Sequence, residues 1–197
     1  TGSYNSGSGV LTLSGSDTTA NYQAALRSIT YASSSEDPTT TATSRTISWT
    51  VTDGNSDGAG AETSTAVTST INLTAVNDAP VTTAGATLAY SENGTAAVID
   101  NTIALSDIDD SQMAGASVTI SSGFTSGDTL GFTTIGAISG SYNSSTGVLT
   151  LSGTDTIANY QAALRSIPYA SSSEDPTATA ASRTISWSVT DANSDGA

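Results

Sequence analysis

The sequence contains no cysteine, no histidine and no lysine. Each absence removes a class of chemistry. Without cysteine there is no disulfide framework, so a small secreted domain of this composition needs another staple, and a bound metal is one option. Without cysteine and histidine, the usual ligands of a tetrahedral zinc site are missing. Without lysine, a Lys–Asn isopeptide staple cannot form, and with no histidine base or cysteine nucleophile the usual catalytic constellations are missing. Aromatic residues make up 6% of the chain and hydrophobic residues 36%, below the usual globular share. No apolar run approaches the length of a membrane span. No signal peptide is visible, and the chain reads as the interior of a longer protein.

What is present is acid. Eighteen Asp and Glu stand against four Arg (Arg27, Arg45, Arg165, Arg183), a formal net charge of -14. Such a surface repels nucleic acid and anionic membrane and suits divalent cations. It also keeps a secreted protein soluble, so the positions of the acids must decide. Ser, Thr, Gly and Ala fill most of the remainder. The 197 residues suit two small sandwiches with thin cores of Val, Ile and Leu better than one large core.

The chain repeats itself. Residues 2–59 align with residues 140–197 without a gap, at an offset of 138; 9 of the 58 positions differ, leaving 49 identical. Tyr22 matches Tyr160, Trp49 matches Trp187, and Asp53 matches Asp191. The repeat is cut out of phase. The turn Asn77–Asp78–Ala79–Pro80 marks the boundary, so 1–78 reads as the C-terminal part of one repeat and 79–197 as the next repeat without its last strand. The missing piece is expected to resemble Glu62 to Val76.

Alternation of period two is common and predicts strands. Thr46 to Thr52 places Ile47, Trp49 and Val51 on one face, and Ala66 to Val76 turns Val67, Ile71 and Leu73 inward. Val148 to Leu151 after the turn Asn143–Gly147 reads as a hairpin. Ile157, Tyr160 and Leu164 instead recur at helical spacing. Asp155 or Thr156 can cap that segment, and a strand from Ser166 to Tyr169 follows; the same holds for Thr19 to Arg27. The expected fold is all-β: tandem immunoglobulin-like Greek-key β-sandwiches, each with one short helix.

The carboxylates gather in turns: Glu36–Asp37, Asp53–Asp57, Asn77–Asp78, Glu92–Asn93, Asp107–Asp110, Glu174–Asp175, and Asp191 with Asn193 and Asp195. Asp, Asn, Gly and Ser also serve plain turn chemistry, so a metal site requires several clusters to meet. In a seven-strand sandwich, Asp107, Asp109 and Asp110 fall at the N-terminal end of the second repeat with Asp191 and Asn193, the linker Asn77–Asp78 passes them, and Glu36–Asp37 hangs at the C-terminal end of the first. Unneutralised, these charges repel at short range, and a cation relieves that.

The linker Ala75–Val81 resembles the domain boundary of bacterial cadherin-like repeats, found in large surface adhesins and RTX-type exoproteins. Ser91–Glu92–Asn93 resembles the glutamate motif of that family's first strand, Asp107–Ile108–Asp109 its Asp-x-Asp loop, and Val51–Asn55 the end of its sixth strand. The linker here is shorter and less acidic than a cadherin's. The resemblance implies an extracellular module stiffened by calcium at the junction, with Glu36, Asp37, Asn77, Asp78, Glu92, Asp107, Asp109, Asp110, Asp191 and Asn193 as candidate ligands. It also implies a secreted or cell-surface location, neighbouring repeats as partners, and adhesion or matrix attachment. Two other readings compete. The out-of-phase ends suggest a fibre subunit completed by strands from other copies, and Tyr4, Tyr22, Tyr31, Tyr142, Tyr160 and Tyr169 are candidate platforms for a cell-surface glycan, though pairs recurring in a repeat suit small cores. An enzyme is not expected: paired carboxylates can hydrolyse glycosides, but these acids are expected in solvent-rich turns.

Overall fold

A computed structural model describes residues 1–193 of the chain. It divides into two compact units, residues 1–73 and 74–197. The division falls a few residues before the Asn77–Asp78 turn, so that turn belongs to the second unit. The fold is all-β, with antiparallel sheets and one nine-residue helix in each unit.

The first unit carries two separate two-stranded sheets. β1 (Gly2–Asn5) pairs with β2 (Val10–Leu13), and β3 (Ser44–Trp49) pairs with β4 (Val67–Asn72). Between them lies α1 (Thr19–Arg27), whose first turn is closed by Thr18: its hydroxyl accepts from Asn21 N at 3.3 Å. None of residues 1–73 is buried. Ile47 and Trp49 alternate toward the half-buried face as expected, and so do Ile71 and Leu73, but Val51 and Val67 are 40% and 63% exposed. Val67 pairs with Trp49 at the end of the β3–β4 ladder, where the strand begins and its side chain stays in solvent.

The second unit has a core. It begins with β5 (Val81–Thr83), which pairs with β7 (Ala104–Ser106). A four-stranded sheet runs β10 (Ser139–Asn143), β11 (Val148–Thr156), β8 (Gln112–Ser122), β13 (Thr184–Asp191). A three-stranded sheet runs β6 (Ala97–Val98), β12 (Pro168–Ser171), β9 (Asp128–Leu130). Met113, Val118, Ile120, Leu149 and Leu151 from the first sheet meet Leu130 and Tyr169 from the second, with Tyr160, Ala163 and Leu164 of α2 (Ile157–Arg165) and with Ile103 and Ile167. This is the sandwich arrangement, with period-two burial along β8 and β11. Thr156, rather than Asp155, caps α2, accepting from Asn159 N at 3.2 Å. Asp155 Oδ1 instead accepts from Asn159 Nδ2 at 2.7 Å, fastening the helix start to the preceding strand. The strand after α2 starts at Pro168 rather than Ser166, because Ser166 and Ile167 still donate to Ala163 and Leu164 at the helix end.

Tyr160 and Tyr169 are core residues, and the Tyr142 hydroxyl donates to Asp128 O at 2.8 Å. In the second unit these rings thus fill the interior. In the first, Tyr4 and Tyr31 are 64% and 44% exposed.

Candidate metal centre

The turn between β7 and β8 is built on Asp107. Its Oδ1 accepts from Asp109 N at 3.4 Å and Asp110 N at 3.3 Å, an Asx-type turn of the kind short acidic side chains favour. The turn folds its own carboxylates inward: Asp109 and Asp110 are 7% and 6% exposed, while the intervening Ile108 is 65% exposed. The expectation that these acids sit in solvent is therefore corrected. They are packed down because the linker crosses over them. Asp78 N donates to Asp109 Oδ2 at 2.8 Å, and Asn77 Nδ2 to Asp191 Oδ2 at 3.3 Å. Asp191 ends β13 beside Met113 at the start of β8, and its Oδ1 accepts from Asn193 N at 3.1 Å.

Sequence positions up to 114 residues apart are thus brought together at one end of the second unit. The electrostatics there are unfavourable for a protein alone. Asp107 Oδ2 and Asp109 Oδ1 are buried without a hydrogen-bond partner. Burial, and then the neighbouring Asp109 carboxyl, push the Asp107 carboxyl above its usual range. No basic side chain offsets them: among the described residues the ion pair is Arg183–Asp128, elsewhere in the unit. The donors available (carboxylate, amide and backbone oxygens) are the hard oxygen set that calcium takes, so the residues fit that ion by chemistry. Among the described residues, no three carboxylates converge tightly enough to form a finished cage.

Glu92 lies apart from this cluster. Glu92 is in a turn, not in the first strand, beside Asn93 at φ 62. The neighbouring Tyr90 hydroxyl donates to Ser171 O at 3.3 Å. Ser171 pairs with Asp128, whose carboxylate binds Arg183, just before Thr184 at the start of β13. Asp191 lies at the other end of that eight-residue strand, about 25 Å away at ~3.3 Å per residue. Glu92 therefore belongs to the opposite end of the unit from Asp107. Glu36 and Asp37 lie in the first unit. Asp37 Oδ1 accepts from Thr39 N at 2.8 Å and Thr39 Oγ1 at 2.6 Å, and its copy Asp175 repeats both bonds with Thr177, which is turn chemistry. Asp195 falls outside the described residues.

Two carboxylates that sequence patterns did not single out are structural. Asp100, 3% exposed, accepts from Gly85 N, Ala86 N, Thr102 N and the Thr102 hydroxyl. Asp128, 1% exposed, accepts from Arg183 Nε at 2.6 Å and the Tyr169 hydroxyl at 2.7 Å. The local Asp-x-Thr spacing could have flagged Asp100. Asp128 and Arg183 are 55 residues apart, and only the scarcity of cations hinted that each arginine would be used.

No protein-family model matches the chain. Nor does any solved structure. Halomucin of Haloquadratum walsbyi (strain DSM 16790 / HBSQ001) is 34% identical over 128 residues, 62% of this chain. The chain spans about 1% of that protein's length. No helix among the described residues is long and apolar enough to cross a membrane.

Proposed function

We propose that this chain is a non-catalytic module of an extracellular repeat protein, a secreted or cell-surface spacer of the adhesin or matrix type. In this reading Ca2+ fastens the Asn77–Asp78 linker segment to the Asp107–Asp110 turn and Asp191, and stiffens the start of the second unit. The observation that carries it is the pair of buried oxygens, Asp107 Oδ2 and Asp109 Oδ1, left without a partner beside a linker that already bonds to the same turn. Two unpaired buried carboxylate oxygens are costly, and a cation offsets that cost. The extracellular placement is supported by the likeness to a stretch of Halomucin and by the near-identical internal repeat. Neighbouring repeats of the same protein are the natural partners of such a module.

Calorimetric titration of the full chain with CaCl2, paired with melting in excess EDTA, tests this. Saturable binding and a higher Tm with calcium are expected, with about 2.7 kcal/mol gained at a hundred times Kd. Asp109→Ala should remove both. A Tm insensitive to EDTA, with no heat of binding, would exclude a structural calcium.

A further inference from the structure

Three of the ten asparagines stand in the triplet Asn-x-Ser/Thr: Asn72–Leu73–Thr74, Asn93–Gly94–Thr95 and Asn143–Ser144–Ser145. In a chain this rich in Ser and Thr, three matches are no more than chance supplies, so placement must decide. Transfer of a sugar to such a triplet needs the asparagine amide and the third-position hydroxyl both open to an enzyme, and room for a bulky, solvated product.

Asn72 fails that requirement. It is the last residue of β4 and pairs with Ser44, and the half-buried Leu73 donates its N–H to Thr43 O at 2.9 Å. The triplet is held extended in the ladder. The other two lie in turns. Residues 91–95 are all exposed, and Asn93 stands at φ 62, its amide making one long contact, to Glu92 Oε1 at 3.5 Å. Asn143, Ser144 and Ser145 are exposed at the turn of the β10–β11 hairpin. There Asn143 Oδ1 accepts from Ser145 N at 2.9 Å. That bond brings the third residue beside the asparagine side chain and engages only its oxygen, so the amide nitrogen stays free for chemistry.

Both turns lie at one end of the second unit. Val148, opposite Asn143, is level with Thr119 and Ser186, near the start of β13. The Tyr142 hydroxyl reaches Asp128 O, and the Tyr90 hydroxyl reaches Ser171 O beside Asp128. This is the end opposite Asp107 and Asp191, so a sugar chain here leaves the acidic cluster uncovered. β10 is also the outermost strand of its sheet, and a hydrated chain at its end guards a free edge against pairing with other strands.

We propose that Asn93 and Asn143 are acceptors for N-linked oligosaccharide. The proposal rests on the extracellular reading above, since such transfer belongs to secreted proteins. The donor is a lipid-phosphate-linked sugar. Asparagine Nδ2 bonds to the anomeric carbon, the bond from that carbon to the donor phosphate oxygen breaks, the lipid phosphate leaves, and the amide gives up one proton to a base of the transferase. The first copy of the repeat supplies a control. Asn5–Ser6–Gly7 forms the same turn, with Gly7 N donating to Asn5 Oδ1 at 3.0 Å, in the same hairpin register. It lacks the hydroxyl that Ser145 provides.

Peptide mass mapping of the full chain, recovered from the cells that produce it, tests this. Glycan-sized mass increments are expected on the peptides holding Asn93 and Asn143, and none at Asn5. Thr95→Ala and Ser145→Ala should each remove their own increment and leave the other, and Gly7→Ser should create one at Asn5. Unmodified Asn93 and Asn143 in protein taken from the cell surface or medium would overturn the proposal and leave the extracellular reading intact. Unmodified protein found only inside the cell would sink both. An increment kept at Asn143 in Ser145→Ala, or present at Asn5 without substitution, would also overturn it.

Discussion

The same 49 residues fold around a core in one half of this chain and around none in the other, and the difference separates what is local from what is not. The helix is local. Thr18 and Thr156 cap it identically, and α1 and α2 have equal length, although Leu164 is fully buried and Leu26 only half-buried. The β1–β2 hairpin is local too, in the same register as β10–β11. The strand after the helix is not. Tyr169–Ala170–Ser171 forms β12 between β6 and β9, whereas the identical Tyr31–Ala32–Ser33 has no strand structure. β propensity here expresses flanking partners rather than the residues themselves.

That contrast can be broken most forcefully at the arginines. Arg183→Met leaves Asp128 charged and buried, and should cost about 3–5 kcal/mol. Arg45→Met, which removes no ion pair among the described residues, should cost under about 1 kcal/mol. Guanidinium unfolding followed through Trp187 or Trp49, in single-tryptophan variants, reads each unit separately; equal losses would erase the distinction. Next come the helices. Leu164→Ala should cost about 2–5 kcal/mol by opening a cavity, and Leu26→Ala much less, measured in the same way.

Smaller effects follow from pH and charge. The Thr102 hydroxyl, helped by three backbone N–H groups, outweighs burial and holds the Asp100 carboxyl well below its usual range. At Asp128 burial pushes upward, but Arg183, Tyr169 and Thr125 outweigh it and the net direction is down. A depressed folded value gives stability that is present above the ordinary Asp range and is lost as pH falls through it, below about 4. The second unit should therefore unfold in acid, seen as loss of Trp187 near-ultraviolet dichroism. Asp107 has the opposite sign: raised by burial and by Asp109, its ionisation weakens the fold as pH rises. Asp107→Asn should then raise stability slightly in EDTA, by under about 1 kcal/mol, and lower it in calcium.

Much of this arrangement was legible. The period-3.6 spacing of Ile157, Tyr160 and Leu164, the Asn143–Gly147 turn and the approach of Asn77–Asp78 to Asp109 and Asp191 follow from local pattern plus a sandwich topology. Glu92 was not legible: a turn after the first strand carried it to the far end of the unit, which no short motif encodes. Val67 reads as an inward strand residue, yet it is 63% exposed, because period-two alternation says which residues share a face and not how far along the strand that face is covered. The Asp128–Arg183 pair joins positions 55 apart, with no periodicity to announce it.

The central position of β8 also bears on how such a chain is made. Val118 pairs with Leu149 on one side and Trp187 on the other, so β8 emerges from synthesis well before either neighbour. Meanwhile the near-identical Leu11 and Trp49 of the preceding copy are already available. An array of such repeats thus carries a standing risk of exchanging strands between neighbours while it folds, the characteristic misassembly of repeat proteins. The capped helix and the hairpin are contained within each copy, and contacts so close in sequence favour pairing within a repeat over pairing across.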